Sequence, residues 1–214
     1  MDAPGVTVLP VTAAAMPSRR ERPGKVAILR AAVEVMGEAG YEGASIRDMA
    51  SRAGVSVAAL YYHFPSKRDL LREFLEESHD VVLARIDRHL RDLGPGAGPV
   101  ARLDEIVGTL VASLVHDEFA QLAANVAWRE HIRLDPAARA AIDGKRRRLL
   151  DLVADTVADG VAAGEMAAAE PREAARAIVT LATTIVEPYR EMRRPMPEVI
   201  ALYQRFARGI ARAG

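Results

Sequence analysis

The stretch from residue 40 to 71, GYEGASIRDMASRAGVSVAALYYHFPSKRDLL, places helix starts and stops so closely together that few folds accommodate it. Ser45 precedes the apolar-periodic Ile46, Met49, Ala50 and Ala53, with Asp48 three residues on. This is a capping box built with the shorter acid, in which the serine caps a helix and the aspartate reaches back. Gly54 follows, where a helix end needs a residue able to take a left-handed backbone. Ser56 opens a second helix over 57–63. Pro65 stops it and biases Phe64 out of helical geometry. Ser66 opens a third helix, again with an acid, Asp69, three residues later. Helix, glycine turn and helix is the geometry that lays a second helix in the DNA major groove.

The pattern GY-x-G-x-S-I-x-D-M-A-x-x-A-G-V-S-x-x-x-L-Y-Y-H-F-x-S-K-x-x-L-L resembles the N-terminal signature of the tetracycline-repressor (TetR) family of dimeric transcriptional regulators. More than fifteen positions at fixed spacing carry the likeness, which runs over residues 25–74. It implies that Ser56, Val57, Ala59, Tyr61, Tyr62 and His63 face DNA, and that Lys67 sits where family members contact a phosphate. Ser45 and Arg47 stand at the start of the preceding helix, whose positive dipole end favours phosphate. Leu60 and Phe64 read as core, one of Tyr61 and Tyr62 as packing partly inward, and Lys67 alternatively as a solvated lysine. The chain departs from the commoner family pattern at Ala58, where glycine is usual, and at Val57, where a polar residue is frequent. Few base hydrogen bonds are then available from this helix. Readout falls to Arg47, Tyr62, thymine-methyl contacts from Val57 or Ala59, and DNA shape.

The surroundings agree with that expectation. Residues 1–23 are rich in Pro, Ala and Ser, show no helical period and lack the long apolar run of a signal peptide. They read as a disordered arm. The cluster Ser18, Arg19, Arg20 and Arg22 at its end suits a phosphate or minor-groove contact, with a solvated tail as the plainer reading. The head is assigned to 24–70 and a helical ligand-binding and dimerisation body to 71–214. Over 25–39, Leu29, Ala32, Val33 and Met36 follow helical spacing, and Gly40 ends that helix. Its stripe is expected to pack on Ile46, Met49, Val55, Leu60 and Phe64.

A long helix then runs from Lys67 towards Leu93, with Leu71, Leu75, Ser78, Val82, Ile86, His89 and Leu93 on one face, until the breaker Gly94–Pro99. Further helices are expected over 100–116, 119–134, 136–163 (Asp135 capping, Pro136 at the first position), 174–186, and from Pro195 and Pro197 to about Ala211. No segment alternates with period two, and none reaches the ~18 apolar residues of a membrane span. The fold class is all-α, about nine helices.

The body carries no motif of comparable strength. The family resemblance implies an effector site between its helices and a dimer interface on its last two long helices. Leu181, Ile185, Tyr189, Leu202, Tyr203 and Phe206 are the dimer-face candidates, intramolecular core being the equal alternative for each. Asn125, Trp128, Arg129 and His131 are the effector-site candidates. Asn125, Trp128 and Ile132 share one helical face, and a lone Trp there is also an ordinary core residue. The run Lys145–Arg148 wraps a whole helical circumference, so most of it reads as solvated, with one residue open to an anionic effector. The proline-bounded break after Val186 resembles relatives that sense acyl-CoA thioesters. A body that takes a protein partner instead of a small molecule is the rival reading.

Charge and composition narrow the class further. The chain is neutral overall, yet residues 22–72 hold eight basic against five acidic side chains, as expected if only the head meets phosphate. There is no cysteine, which fits a reducing cytoplasm and rules out disulfides and thiolate metal sites. Among five histidines no pair has the i, i+4 spacing of a helical metal site. Neither G-x-S-x-G, a phosphate-cradling loop nor a dinucleotide fingerprint occurs, so neither enzyme chemistry nor a cofactor is expected.

Overall fold

The computed structural model describes residues 24–116, 134–185, 189 and 192–212. Among these residues the chain is all-α, with eight helices and no strand. They are α1 (Lys25–Gly43), α2 (Ile46–Ala53), α3 (Val57–His63), α4 (Lys67–Leu93), α5 (Pro99–His116), α6 (Pro136–Ala162), α7 (Pro171–Thr183) and α8 (Met196–Arg212). The helix expected over 119–134 falls almost wholly outside the described residues, as do the arm at 1–23 and Pro188.

The serine-and-acid signals act as short-range chemistry predicts. The Asp48 N–H donates to Ser45 Oγ at 3.1 Å, the Ala59 N–H to Ser56 Oγ at 3.1 Å, and the Asp69 N–H to Ser66 Oγ at 3.1 Å. The return bond differs from a full capping box. Asp48 and Asp69 accept from the serine hydroxyls at 2.6 and 2.7 Å, because an aspartate side chain is one methylene too short to span the turn. Gly54 adopts φ 67°, ψ 29°, the left-handed conformation that ends α2 and turns the chain into α3. At the start of α6 the Ala138 N–H donates to Asp135 Oδ1 at 2.9 Å. α7 stops at Thr183, a little before the expected 186. There the Thr183 and Thr184 hydroxyls donate to the carbonyls of Val179 and Thr180 at 2.8 and 3.0 Å and draw the last turn to a close.

Two apolar cores result. The head core joins Ile28, Leu29, Ala32, Val33 and Met36 of α1 to Met49, Leu60 and Phe64, with Ile46 and Val55 partly buried at its edge, as the periodicity predicts. It also takes Leu70, Leu71, Phe74 and Leu75 from α4 and, unexpectedly, Leu134, Ala138 and Ile142 from the start of α6. The body core is built from α5, the later turns of α6, α7 and α8, with Ile86 of α4 reaching into it. α4 therefore belongs to both cores, and the sequence boundary at residue 70 does not coincide with a break in packing. Leu93 is 39% exposed, in the last turn before Gly94, where the expected apolar stripe runs past the body.

Ion pairs fasten α4 to α6. Lys145 pairs with Asp80, and Arg148 Nη2 lies 2.8 Å from Asp87 Oδ2. The basic run is thus not mostly idle: two of its four residues join these helices, because Asp80 and Asp87 lie on the side of α4 that α6 crosses. No described helix is long and apolar enough to cross a membrane.

Candidate nucleic-acid interface

α3 has two unlike sides. Leu60 is fully buried, whereas Ser56, Val57, Ala58, Tyr61 and Tyr62 are exposed and lie on the opposite side. Tyr62 is 86% exposed and Tyr61 47%, so both tyrosines face outward, Tyr61 the more covered of the two, and neither packs into the head core as the sequence led one to expect of one of them. The Tyr62 ring is left largely uncovered by the rest of the described chain, on a helix anchored by buried Leu60. The Tyr62 and His63 rings meet edge to face at 5.4 Å between centroids. Ala59 and His63 are partly covered at the flanks. Ala58 is the additional outward residue; its spacing from Tyr61 and Tyr62 was the available signal.

The expected contributions from α2 and α4 divide. Arg47 is exposed in the first turn of α2, and Ser45, also exposed, spends its hydroxyl on Asp48. Arg52 adds nothing to an outward positive field. Its guanidinium donates to Glu38 at 3.0 and 2.8 Å and lies 3.4 Å from Glu34 of α1. That hydrogen bond holds the Glu38 carboxyl below its ordinary range and raises Arg52 in turn. Lys67, partly buried at the first position of α4, has its Nζ 4.4 Å from the centroid of the Tyr41 ring. The sequence assigned Tyr41 no role; only the fold brings residues 41 and 67 together.

In the body, Asn125, Trp128, Arg129 and His131 lie outside the described residues. The dimer-face candidates separate by burial. Ile185 and Tyr203 are 0% and 4% exposed within a single chain and belong to its core, so neither offers surface to a second copy. The reason is helical phase: on α8 the inward row is Met196, Val199, Tyr203, Ala207 and Ala211. Leu202 and Phe206 are turned outward from it, and Phe206 is 46% exposed. Leu181 and Tyr189 are partly buried against the body core.

Polar seams cross the body. Arg85 donates to Ser113 Oγ at 2.8 Å, and His89 Nδ1 lies 2.9 Å from both Glu105 and Thr109, tying α4 to α5. Arg208 lies 3.0 Å from Asp104 Oδ2, tying α5 to α8, and burial pushes the Asp104 carboxyl up despite that arginine. In the middle of α4, His79 Nδ1 lies 2.7 Å from the Leu75 carbonyl, which only accepts, so Nδ1 carries the proton. Burial lowers the affinity of the His79 ring for a second proton, and nearby Arg146 and Lys145 lower it further.

Comparison with known proteins agrees with this geometry. A family model for bacterial regulatory proteins of the tetR family matches residues 28–74, and one for the tetracyclin repressor-like C-terminal domain matches residues 96–207. The HTH-type transcriptional repressor KstR of Mycobacterium tuberculosis is 30% identical over 162 residues, covering 74% of this chain and 71% of KstR. The structure of a bacterial regulatory protein in the tetR family from Rhodococcus RHA1 superposes with a TM-score of 0.78 at 25% identity, over 89% of this chain and 97% of that one. AibR, solved with isovaleryl coenzyme A and operator DNA, superposes with a TM-score of 0.74 at 21% identity, over 91% of this chain and all of its own, a likeness of fold. Helix-turn-helix head, helical body and matched models together make this chain a member of the tetR family of bacterial regulatory proteins, a DNA-binding transcriptional regulator.

Proposed function

We propose that the protein is a homodimeric, cytoplasmic transcriptional repressor that grips a palindromic operator through two α3 helices and releases it when a small molecule binds its body. The observation that carries the DNA half is the exposed face of α3, with Val57, Ala58, Tyr61 and Tyr62 outward over buried Leu60. Those side chains offer methyl and ring surface more than hydrogen bonds. Specificity then comes from thymine methyls, Arg47 and DNA shape, with Lys67 and the α2 N-terminus on phosphates. The residues of α8 turned away from the body core, Leu202 and Phe206 among them, form the dimer face, with Leu181 of α7 at its partly buried edge. Two heads on one duplex are then spaced by about one helical turn, ~34 Å.

The effector segment spans Asn125, Trp128, Arg129 and His131, and it leads directly into Leu134 in the head core. An effector bound in the body reaches the heads through α4, which belongs to both cores, and through the start of α6, which belongs to the head core. It needs only to bind the DNA-incompetent arrangement better than the competent one. KstR is named a repressor, which supports repression, and AibR was solved with isovaleryl coenzyme A, which supports an acyl-CoA-like effector.

The test is binding to the DNA flanking its own gene, measured across salt concentrations. Tight binding to a palindrome, weakening steeply with salt and relieved by an acyl-CoA thioester, is the expected result. Sequence-blind binding, persisting after selection from random DNA, would overturn the repressor reading. Specific binding indifferent to every acyl-CoA tried would remove the effector class alone.

A further inference from the structure

The regular part of α1 ends at Gly40, whose φ of 70° and ψ of 167° break the helical path before Tyr41. A final turn through Gly43 follows, closed by the Ala44 N–H donating to the Gly40 carbonyl at 3.0 Å. That turn sets Tyr41 against the head core, partly buried, with its ring 4.4 Å from Lys67 Nζ. Lys67 occupies an electrostatically awkward place. It is the first residue of α4, at the positive end of the helix dipole, where an ammonium is disfavoured. Asp69 of the same turn accepts from Ser66 at 2.7 Å and lies 3.8 Å from Arg72. The negative face of the Tyr41 ring offsets the dipole and limits the rotamers of a long, flexible side chain.

We propose that Tyr41 is a positioning residue for DNA binding: its ring holds the Lys67 ammonium at the corner between α3 and α4, ready for a backbone phosphate. The inference rests on the reading of Lys67 as a phosphate contact. Ordering a lysine costs rotamer entropy at the moment of binding, and a side chain already ordered in the free protein avoids that loss. Both heads of a dimer gain from it.

The experiment is a double-mutant cycle on operator binding, with salt slopes and melting curves, using Tyr41→Phe, Tyr41→Leu, Lys67→Met and the Leu/Met pair. Tyr41→Phe keeps the ring and is expected to bind within about twofold of the original chain. Tyr41→Leu removes two ring contacts per dimer and is expected to bind about tenfold more weakly, with its salt slope unchanged because the lysines remain. Lys67→Met lowers the salt slope by about two, one phosphate per head, and in that background Tyr41→Leu adds nothing further. Should Tyr41→Leu fail to fold, Tyr41→Met takes its place.

Equal losses from Tyr41→Leu with and without Lys67 would overturn the proposal, as would a Tyr41→Phe loss as large as that of Tyr41→Leu, which would place the hydroxyl on DNA. A silent Tyr41→Leu beside a damaging Lys67→Met overturns the positioning role alone. A Lys67→Met chain with unchanged affinity and slope removes the phosphate contact and this inference with it.

Discussion

The head and the body are both helical, but their helices are specified differently. In the head, helix ends are fixed by bonds spanning three residues: Ser45 with Asp48, Ser56 with Ala59, Ser66 with Asp69. In the body, long helices are held to one another by contacts between residues far apart in sequence, such as Arg148 with Asp87, Arg85 with Ser113 and Arg208 with Asp104. The head is locally determined and short; the body is long and determined by its cross-links. The two meet where α6 enters the head core, so the head's independence is incomplete.

The contrast breaks most visibly at that junction. Ile142 is fully buried among head residues, so Ile142→Ala is expected to cost about 3 kcal/mol. It should also speed amide exchange in α1 and α3, whereas Ile106→Ala, an equal deletion inside the body core, should leave those amides protected. Unchanged protection in the Ile142 variant would show the head to be self-sufficient.

A smaller effect tests the local half of the comparison. Gly54→Ala forces a Cβ into a φ of 67°, at about 1–2 kcal/mol, and should loosen α2 and α3 while the body keeps its denaturant midpoint. Smaller again, Ser56→Ala removes the α3 cap for about 1 kcal/mol. Because α3 has only seven residues, DNA binding should fall more than global stability does, and parallel affinity and melting measurements check this.

The least change is expected from pH, through His79 where α4 leaves the head. Its folded-state affinity for a proton lies below the ordinary histidine value, chiefly because the ring is buried. The unfolded chain therefore binds the proton more readily. Stability from the neutral ring is complete above about pH 6.5 and is lost as pH falls through that value towards the lower folded one. His79→Gln should flatten the difference between urea midpoints at pH 7.5 and 5.5. An undiminished difference would assign the slope to other groups.

Much of this was legible in the sequence, and the limits follow from range. Caps, glycine stops and proline starts act within one turn, so the bounds of α2, α3, α4 and α6 could be read from neighbouring letters. Periodicity told which face of α1 is apolar, and Leu29, Ala32, Val33 and Met36 are buried as expected. Periodicity does not tell what covers a face. Only the packed chain decided that Ile185 and Tyr203 serve their own core while Phe206 stays exposed, and that Leu134, Ala138 and Ile142 complete the core of the head. Only packing turned Lys145 and Arg148 from a solvated run into a link to α4, and laid the Tyr41 ring beside Lys67. A hydrogen bond across three residues is written in a sequence, because the chain itself sets its geometry. A contact across sixty residues depends on how every helix between them has packed, and that is settled by the burial of all of them together.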